Sequence, residues 1–265
     1  MKIVNYDTDL TDAQWKLLKP MLPQRNKRGR PPTDPRLIIN AILYIVKGGI
    51  PWRLLPANFP PWKTVYHVFR KWTVENVWEA LNARLRAHVR KTVGKGCRPT
   101  GAILDSQSVK SDAHGGAVGF DAAKRIKGRK RHLLVDTMGL ILALVVHSAG
   151  IQDRDGAQAV FAQARSKCPR LEKVWADGGY AGQLVAWVDD HCAWELEIVK
   201  RSDDVKGFKL IPKRWVSERT FGWLNKYRLL SKEYEVLIES SEADIYLAMT
   251  HVMVRRLAPA YAIAA

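Results

Sequence analysis

RHLLVDT-MG-LILALVVHS, residues 131–148, is the stretch on which the fold turns. Two aliphatic, β-branched runs flank the dipeptide Met138-Gly139, which reads as a hairpin of strands joined by a tight turn. Upstream, AILDSQSV (102–109) is a short apolar run with Asp105 inside it and hydroxyls after it. Residues 110–130 between these runs read as a long polar loop, rich in Gly and ending in the basic run from Lys124 to Arg131. Downstream, 155–167 is helical, KVWAD (173–177) is a strand stopping at Gly-Gly-Tyr, and 180–192 is again helical. WELEIVK (194–200) forms a last strand, followed by a loop and the helical segment IPKRWVSERTFGWLNKYR (211–228).

The resulting order is β, β, β, α, β, α, β, α: three early strands joined by short turns, then crossovers. That predicts an α/β sheet with helices on its faces, in the strand order of the ribonuclease H fold. The first strand is then central and the fourth lies alongside it, with the final helix crossing their ends. Asp105, Asp177 and Glu218 should converge. An Asp within an apolar run costs free energy unless it has a partner, so Asp105 reads as functional. Asp177 precedes Gly-Gly and could merely start a turn. Glu218 could merely pair with Arg214 one helical turn away. Three converging carboxylates supply hard oxygen ligands for divalent cations. Two such ions activate a water or hydroxyl and stabilise a leaving oxygen in phosphodiester cleavage. Of the competing acids, Asp136 is explained by its hairpin turn and Asp155 as a helix N-cap, which leaves Asp153 as the next residue to test.

The first ninety residues are of another kind. LTDAQWKLLKPML (10–22) opens with a capping-box pattern, Thr11 followed by Gln14. A basic, Pro-rich loop (24–33) follows, then a helix with Asp34 as N-cap and Pro35 at its first position, ending at Gly48-Gly49. Residues 63–73 read as a third helix with Val65, Val68, Phe69 and Trp72 inward and Lys63, His67, Arg70 and Lys71 outward; a fourth covers about 75–91. Short helices with a basic face predict an all-α, helix-turn-helix-type DNA-binding domain, 63–73 being its candidate recognition helix. Arg28 and Arg30 in RGRP are candidates for a minor-groove contact, and Lys127, Arg129 and Lys130 for drawing in the DNA backbone. The stretch TVGKGCRPTG (92–101) carries the boundary, giving domains 1–92 and 93–265.

The chain carries a formal net charge of +17 and a pI near 9.9. That balance points to a polyanionic partner. A membrane fits poorly, because the longest clean apolar run, Leu140 to Val146, is too short to span one. Three cysteines without CxxC spacing, and no signal peptide, predict a reducing cytoplasm.

Together these blocks resemble the DDE transposases of bacterial insertion sequences, in particular the insertion sequence five family, related to the insertion sequence four group. The resemblance rests on LTDAQWKLLKPMLP and GRPPTDPRLIINAILYIVKGGIPWRLLP in the first part. In the second it rests on ILDSQSVK, IKGRKRHLLVDTMGL, HSAGIQDRDGA, VWADGGYAG and WVSERTFGWLNKYRLLSKEYE. It implies a catalytic, metal-binding triad of Asp105, Asp177 and Glu218, using Mg²⁺ with Mn²⁺ as the alternative. It also implies binding of double-stranded DNA at element ends and target, cleavage followed by strand transfer, and a homodimer or larger synaptic complex on the bacterial nucleoid. The related group's glutamate helix has the pattern Tyr, Arg, Glu, Lys. Arg214 and Glu218 match it, Ile211 holds the Tyr place, and Asn225 holds the Lys place with Lys226 beside it. Arg214 and Lys226 are therefore candidate phosphate contacts. Two alternatives stay open from the residues alone: a nuclease of the same fold that cuts without joining, and a non-catalytic DNA-binding regulator.

Overall fold

The computed structural model describes residues 6–23, 33–112, 115–199 and 213–259. It is a mixed α/β structure with an N-terminal helical region, and its described residues form two compact units. The first comprises Met1–Lys95, Leu224–Ser231 and Ala243–Ala265; the second comprises Gly96–Trp223 and Lys232–Glu242.

In the helical unit, α1 (Asp12–Leu18) begins with the expected capping box, Thr11 accepting from the Gln14 amide and Gln14 from the Thr11 amide. It ends earlier than expected, in a 3₁₀ turn over Lys19–Met21, because Pro20 has no amide to continue the helix. Helix α2 (Pro35–Gly48) is capped by Asp34, whose carboxylate accepts from the Arg36 amide. It stops where Gly49 turns left-handed at φ 67°. A side chain there would also meet Arg228 Cβ at 2.9 Å, so glycine is required twice over. Helices α3 (Trp62–Val74) and α4 (Val77–Thr92) follow, with Val65, Phe69, Trp72 and Trp78 buried. Residues 224–231 and 243–265, expected in the second domain, cluster with these helices. Their apolar side chains, among them Leu229, Leu230, Met249 and Met253, are buried, and burial outweighs proximity along the chain.

The second unit is built on β1 (Gly101–Lys110), β2 (Gly119–Asp121), β3 (Ile126–Asp136), β4 (Ile141–Ser148), β5 (Lys173–Asp177) and β6 (Glu195–Val199). Strand β1 is central, antiparallel to β3 on one side and parallel to β5 on the other, with β6 parallel beyond β5. The far edge of β3 pairs with β4 along most of its length and with β2 near its start. The expected hairpin 131–148 is present, but β3 begins at Ile126. The basic run from Lys127 onward is therefore strand, not loop, because Arg129, Lys130 and Arg131 are paired with acids inside the fold. Ala102 and Leu104 of β1 pack with Val160 and Phe161 of α5 (Asp153–Lys167) and Leu184 and Val188 of α6 (Gln183–His191). Alternate side chains of a strand face opposite ways, so Ile103 and Asp105 face the other side, where α7 (Arg214–Leu224) lies. The last helix, α8 (Ile238–Leu257), starts in this unit and ends in the first.

Candidate active site on β1 and at the end of β5

The parallel pairing of β1 with β5 sets Gly101 opposite Lys173, Ala102 opposite Val174 and Ile103 opposite Trp175. Two residues further in each strand stand Asp105 and Asp177. The pairing stops at Ile103 and Trp175, so the two acids lie just beyond it on neighbouring strands, with the side-chain parity of Ile103 and Trp175. Both are half-buried. Asp105 accepts from its neighbour's amide, Ser106 N, at 2.7 Å, and from the Ser217 hydroxyl of α7 at 2.8 Å. Asp177 ends β5 and accepts from the Gly179 amide at 2.9 Å, so the turn that it starts also fixes its rotamer. Two of the three expected acids thus stand on neighbouring strands.

The third is placed differently. Ser217 points at Asp105, and Glu218, one residue and about 100° further round the helix, is exposed. Among the described residues no three of His, Cys, Asp and Glu are grouped closely enough to hold a metal ion. Helix α7 is anchored by Thr220, whose hydroxyl donates to Gly139 O, and by Arg219, which donates to Met138 O. The Arg219 guanidinium stacks over Trp215 and Trp223, 4.4 and 4.8 Å from their centroids. Burial lowers its pKa, with the charge of Asp136 opposing. The helix ends at Leu224, four residues short of the expected segment 211–228. Asn225 and Lys226 lie in the turn beyond it.

The opposite face of β1 holds a buried polar network. The Ser106 hydroxyl donates to Asp153 at 2.9 Å, and Ser108 donates to Asp121 at 2.6 Å. Lys130 Nζ lies 2.7 Å from Asp153 and 3.6 Å from Asp121. Burial works to raise the Asp153 pKa, but hydrogen bonds from Lys130 and Ser106 hold it below the usual carboxylate range. Beside it His147 Nδ1 donates to Ser148 O at 2.8 Å, which leaves Nε2 to accept from His132 Nδ1 at 2.7 Å. Burial pushes both imidazoles below their ordinary pKa, so this chain of hydrogen bonds is neutral. Gly156 makes room for it: a Cβ there would sit 2.7 Å from His132 Cε1. Tyr180 stacks edge-on to His132, its ring centroid 5.9 Å away, and its phenol pKa is raised by burial and then by Asp105 and Asp153.

The expected DNA contacts divide. Lys63, His67 and Lys71 are exposed on α3 and Arg70 is half-buried. Arg28 and Arg30 lie outside the described residues, as does the side chain of Arg214 at the start of α7. Lys127 and Lys226 are exposed. Arg129 and Lys130, expected at the surface, are buried. Arg129 is wholly buried, donating to the carbonyls of Ala117, Glu235 and Val236, with Glu233 at 3.6 Å. Lys130 is engaged as above. A buried charge is tolerated when paired, and here the partners come from residues 121, 153 and 233, too far along the chain for the basic run to reveal them. Sequence reasoning also missed Ser217, Tyr180 and the histidine pair. It assigned Asp155 as the cap of α5, but the helix begins at Asp153 with Gln152 as its cap.

Residues 96–253 match the transposase DDE domain, and residues 10–82 match the transposase model of the IS4/5 family. This chain belongs to the DDE transposase family. The transposase is 30% identical over 117 residues to the uncharacterized 16.2 kDa protein of insertion element IS402 from Burkholderia cepacia. That match covers 42% of this transposase and 78% of the relative. Domains of this family work on DNA with divalent cations. No helix of the transposase, among the described residues, is long and apolar enough to cross a membrane.

Proposed function

We propose that this chain binds the terminal inverted repeats of an insertion sequence and catalyses strand cleavage followed by strand transfer. The catalytic part, 93–265 in this reading, has a ribonuclease H-like sheet. The order β4-β3-β1-β5-β6, with β5 and β6 parallel to β1, supports it. The helical part, 1–92, acts as a helix-turn-helix-type module with Lys63, His67, Arg70 and Lys71 of α3 towards DNA. Joining two ends requires two copies, hence a homodimer or larger complex, acting at the nucleoid in the bacterial cytoplasm.

The observation that carries the reading is that Asp105, in the middle of β1, and Asp177, at the end of β5, stand on adjacent parallel strands just past their last pair, Ile103 opposite Trp175. Their half-buried oxygens fit a hard divalent cation, Mg²⁺ with Mn²⁺ as substitute; Glu218 is not grouped with them. When bound, the cation polarises the phosphoryl oxygen and acidifies water. The chain's own contribution is orientation. Ser217 aims one Asp105 oxygen, the Gly179 amide aims Asp177, and Asp153 braces β1 from behind through Ser106. Glu218 approaches the pair from α7 when DNA is present, with Arg214 on the adjacent phosphate.

The test is a cleavage and strand-transfer assay on inverted-repeat DNA with Mg²⁺, comparing the wild type with Asp105→Asn, Asp177→Asn and Glu218→Gln. Loss of both steps in all three, with repeat binding retained, is expected. Cleavage without joining by the wild type would establish the nuclease alternative. Full activity in Glu218→Gln would remove that residue from the triad.

A further inference from the structure

Lys226 is the residue nearest to the lysine place of the glutamate-helix pattern, yet α7 stops at Leu224 and Lys226 belongs to the helical unit. There its carbonyl meets Lys47, and the charges of Lys226 and Arg255, from distant parts of the chain, both act on that ammonium. Lys47, in the last turn of α2, donates from Nζ to Lys226 O at 2.7 Å and lies 4.7 Å above the Tyr227 ring. Tyr227 packs edge-on to His251 of α8, at 5.9 Å, and Arg255 follows His251 one turn later.

The electrostatics of this corner are one-sided. Burial lowers the Lys47 pKa, and the charges of Arg255 and Lys226 lower it further. His251 is depressed to about 4 by burial, then by Arg255 and Lys47. Among the described residues none of Lys47, Lys226 and Arg255 forms an ion pair with a carboxylate. Lys226 and Arg255 are exposed. Lys47 spends one donor on a carbonyl and turns part of its charge to a ring, which fixes the ammonium without neutralising it. Three cations held together without an anion repel one another, a cost that an external anion removes.

We propose that Lys47, Lys226 and Arg255 form a phosphate-backbone site for duplex DNA on the helical unit. The ligand is a run of phosphodiesters: the cations come from three elements, the aromatic ring among them is buried rather than offered to a base, and exposed apolar groups suited to a lipid surface are not part of the cluster. This rests on the reading of the chain as a DNA-acting protein. It differs in placing Lys226 with α2 and α8 instead of with Glu218.

The experiment is equilibrium binding of the full chain to a fluorescent duplex, without divalent cation, over a salt series. It compares the wild type with Lys226→Gln and Arg255→Gln, both exposed positions. Each substitution is expected to reduce the slope of log K against log salt by about 0.9, the value for one phosphate contact, and the double variant by about twice that. Thermal midpoints should hold or rise, because a like charge is removed; a structural role would lower them. Unchanged slopes in both variants overturn the site, and so does a loss seen with duplex RNA but not with DNA. A wild type that binds with the full slope but never cuts DNA would instead refute the transposition chemistry and leave this site standing.

Discussion

Strand β1 carries two polar constellations on its two faces, and they are built by opposite rules. On one face Asp105 is held by a hydroxyl and a backbone amide, half-open, with Asp177 on the neighbouring strand β5. On the other, Ser106 and Ser108 lead into Asp153 and Asp121, which share the buried ammonium of Lys130. Neighbouring residues of one strand thus serve a half-open acidic face, proposed above for an external cation, and a face that carries its own. A carboxylate whose charge is already met by a buried lysine is poorly placed to ligate metal, which is the physical reason to rank Asp153 as a brace rather than a fourth catalytic acid.

The sharpest way to break this contrast is by substitution on the two faces. Asp105→Asn or Asp177→Asn should bring cleavage below detection with little change in stability. Asp153→Asn should lower activity by about 10–100-fold, as outer supports of a site do. Equal losses at all three positions in the cleavage assay would make the faces chemically equivalent.

Next in size is the lysine. Lys130→Met leaves Asp121 buried without its cation and should cost roughly 3–5 kcal/mol in denaturant unfolding. Combining it with Asp153→Asn and Asp121→Asn should recover part of that loss. Additive losses would mean that the ion pairs are not coupled.

Gly156→Ala pushes a methyl into the histidine pair. It should destabilise by about 1–3 kcal/mol, despite alanine's gain of about 1 kcal/mol in helix propensity. A neutral or stabilising result would show that the histidines can move.

The smallest effect is in pH. His132, His147 and His251 have folded pKa values below the ordinary imidazole value near 6.5. Below about pH 6.5 the unfolded chain takes up protons that the folded chain refuses, so stability falls as pH drops through that value. For His251 the loss continues towards about 4. Midpoints measured by calorimetry from neutral to mildly acidic pH should decline; a flat profile would mean the imidazoles charge in place.

How much of this was legible beforehand can be read residue by residue. The hairpin at 131–148, the cap at Asp34 and the positions of β5 and β6 follow from local rules of periodicity, capping and turn chemistry. Asp105 stood out as an acid inside an apolar run and Asp177 as one that ends a strand, and strand order was enough to predict that their two strands are neighbours. The burial of Arg129 and Lys130 was not legible, because a basic run looks solvated until the acids that neutralise it are known. The grouping of 224–231 and 243–265 with the helical unit was hidden in the same way.

The sequence by itself therefore determined the family, most secondary elements and the adjacency of the strands that carry Asp105 and Asp177, all of which depend on short-range pattern or on the order of strands. Tertiary structure alone decided which cations are spent inside, that Ser217 rather than Glu218 faces Asp105, and where Lys226 resides. Those outcomes depend on which distant side chains share a low-dielectric interior, and no local pattern encodes that.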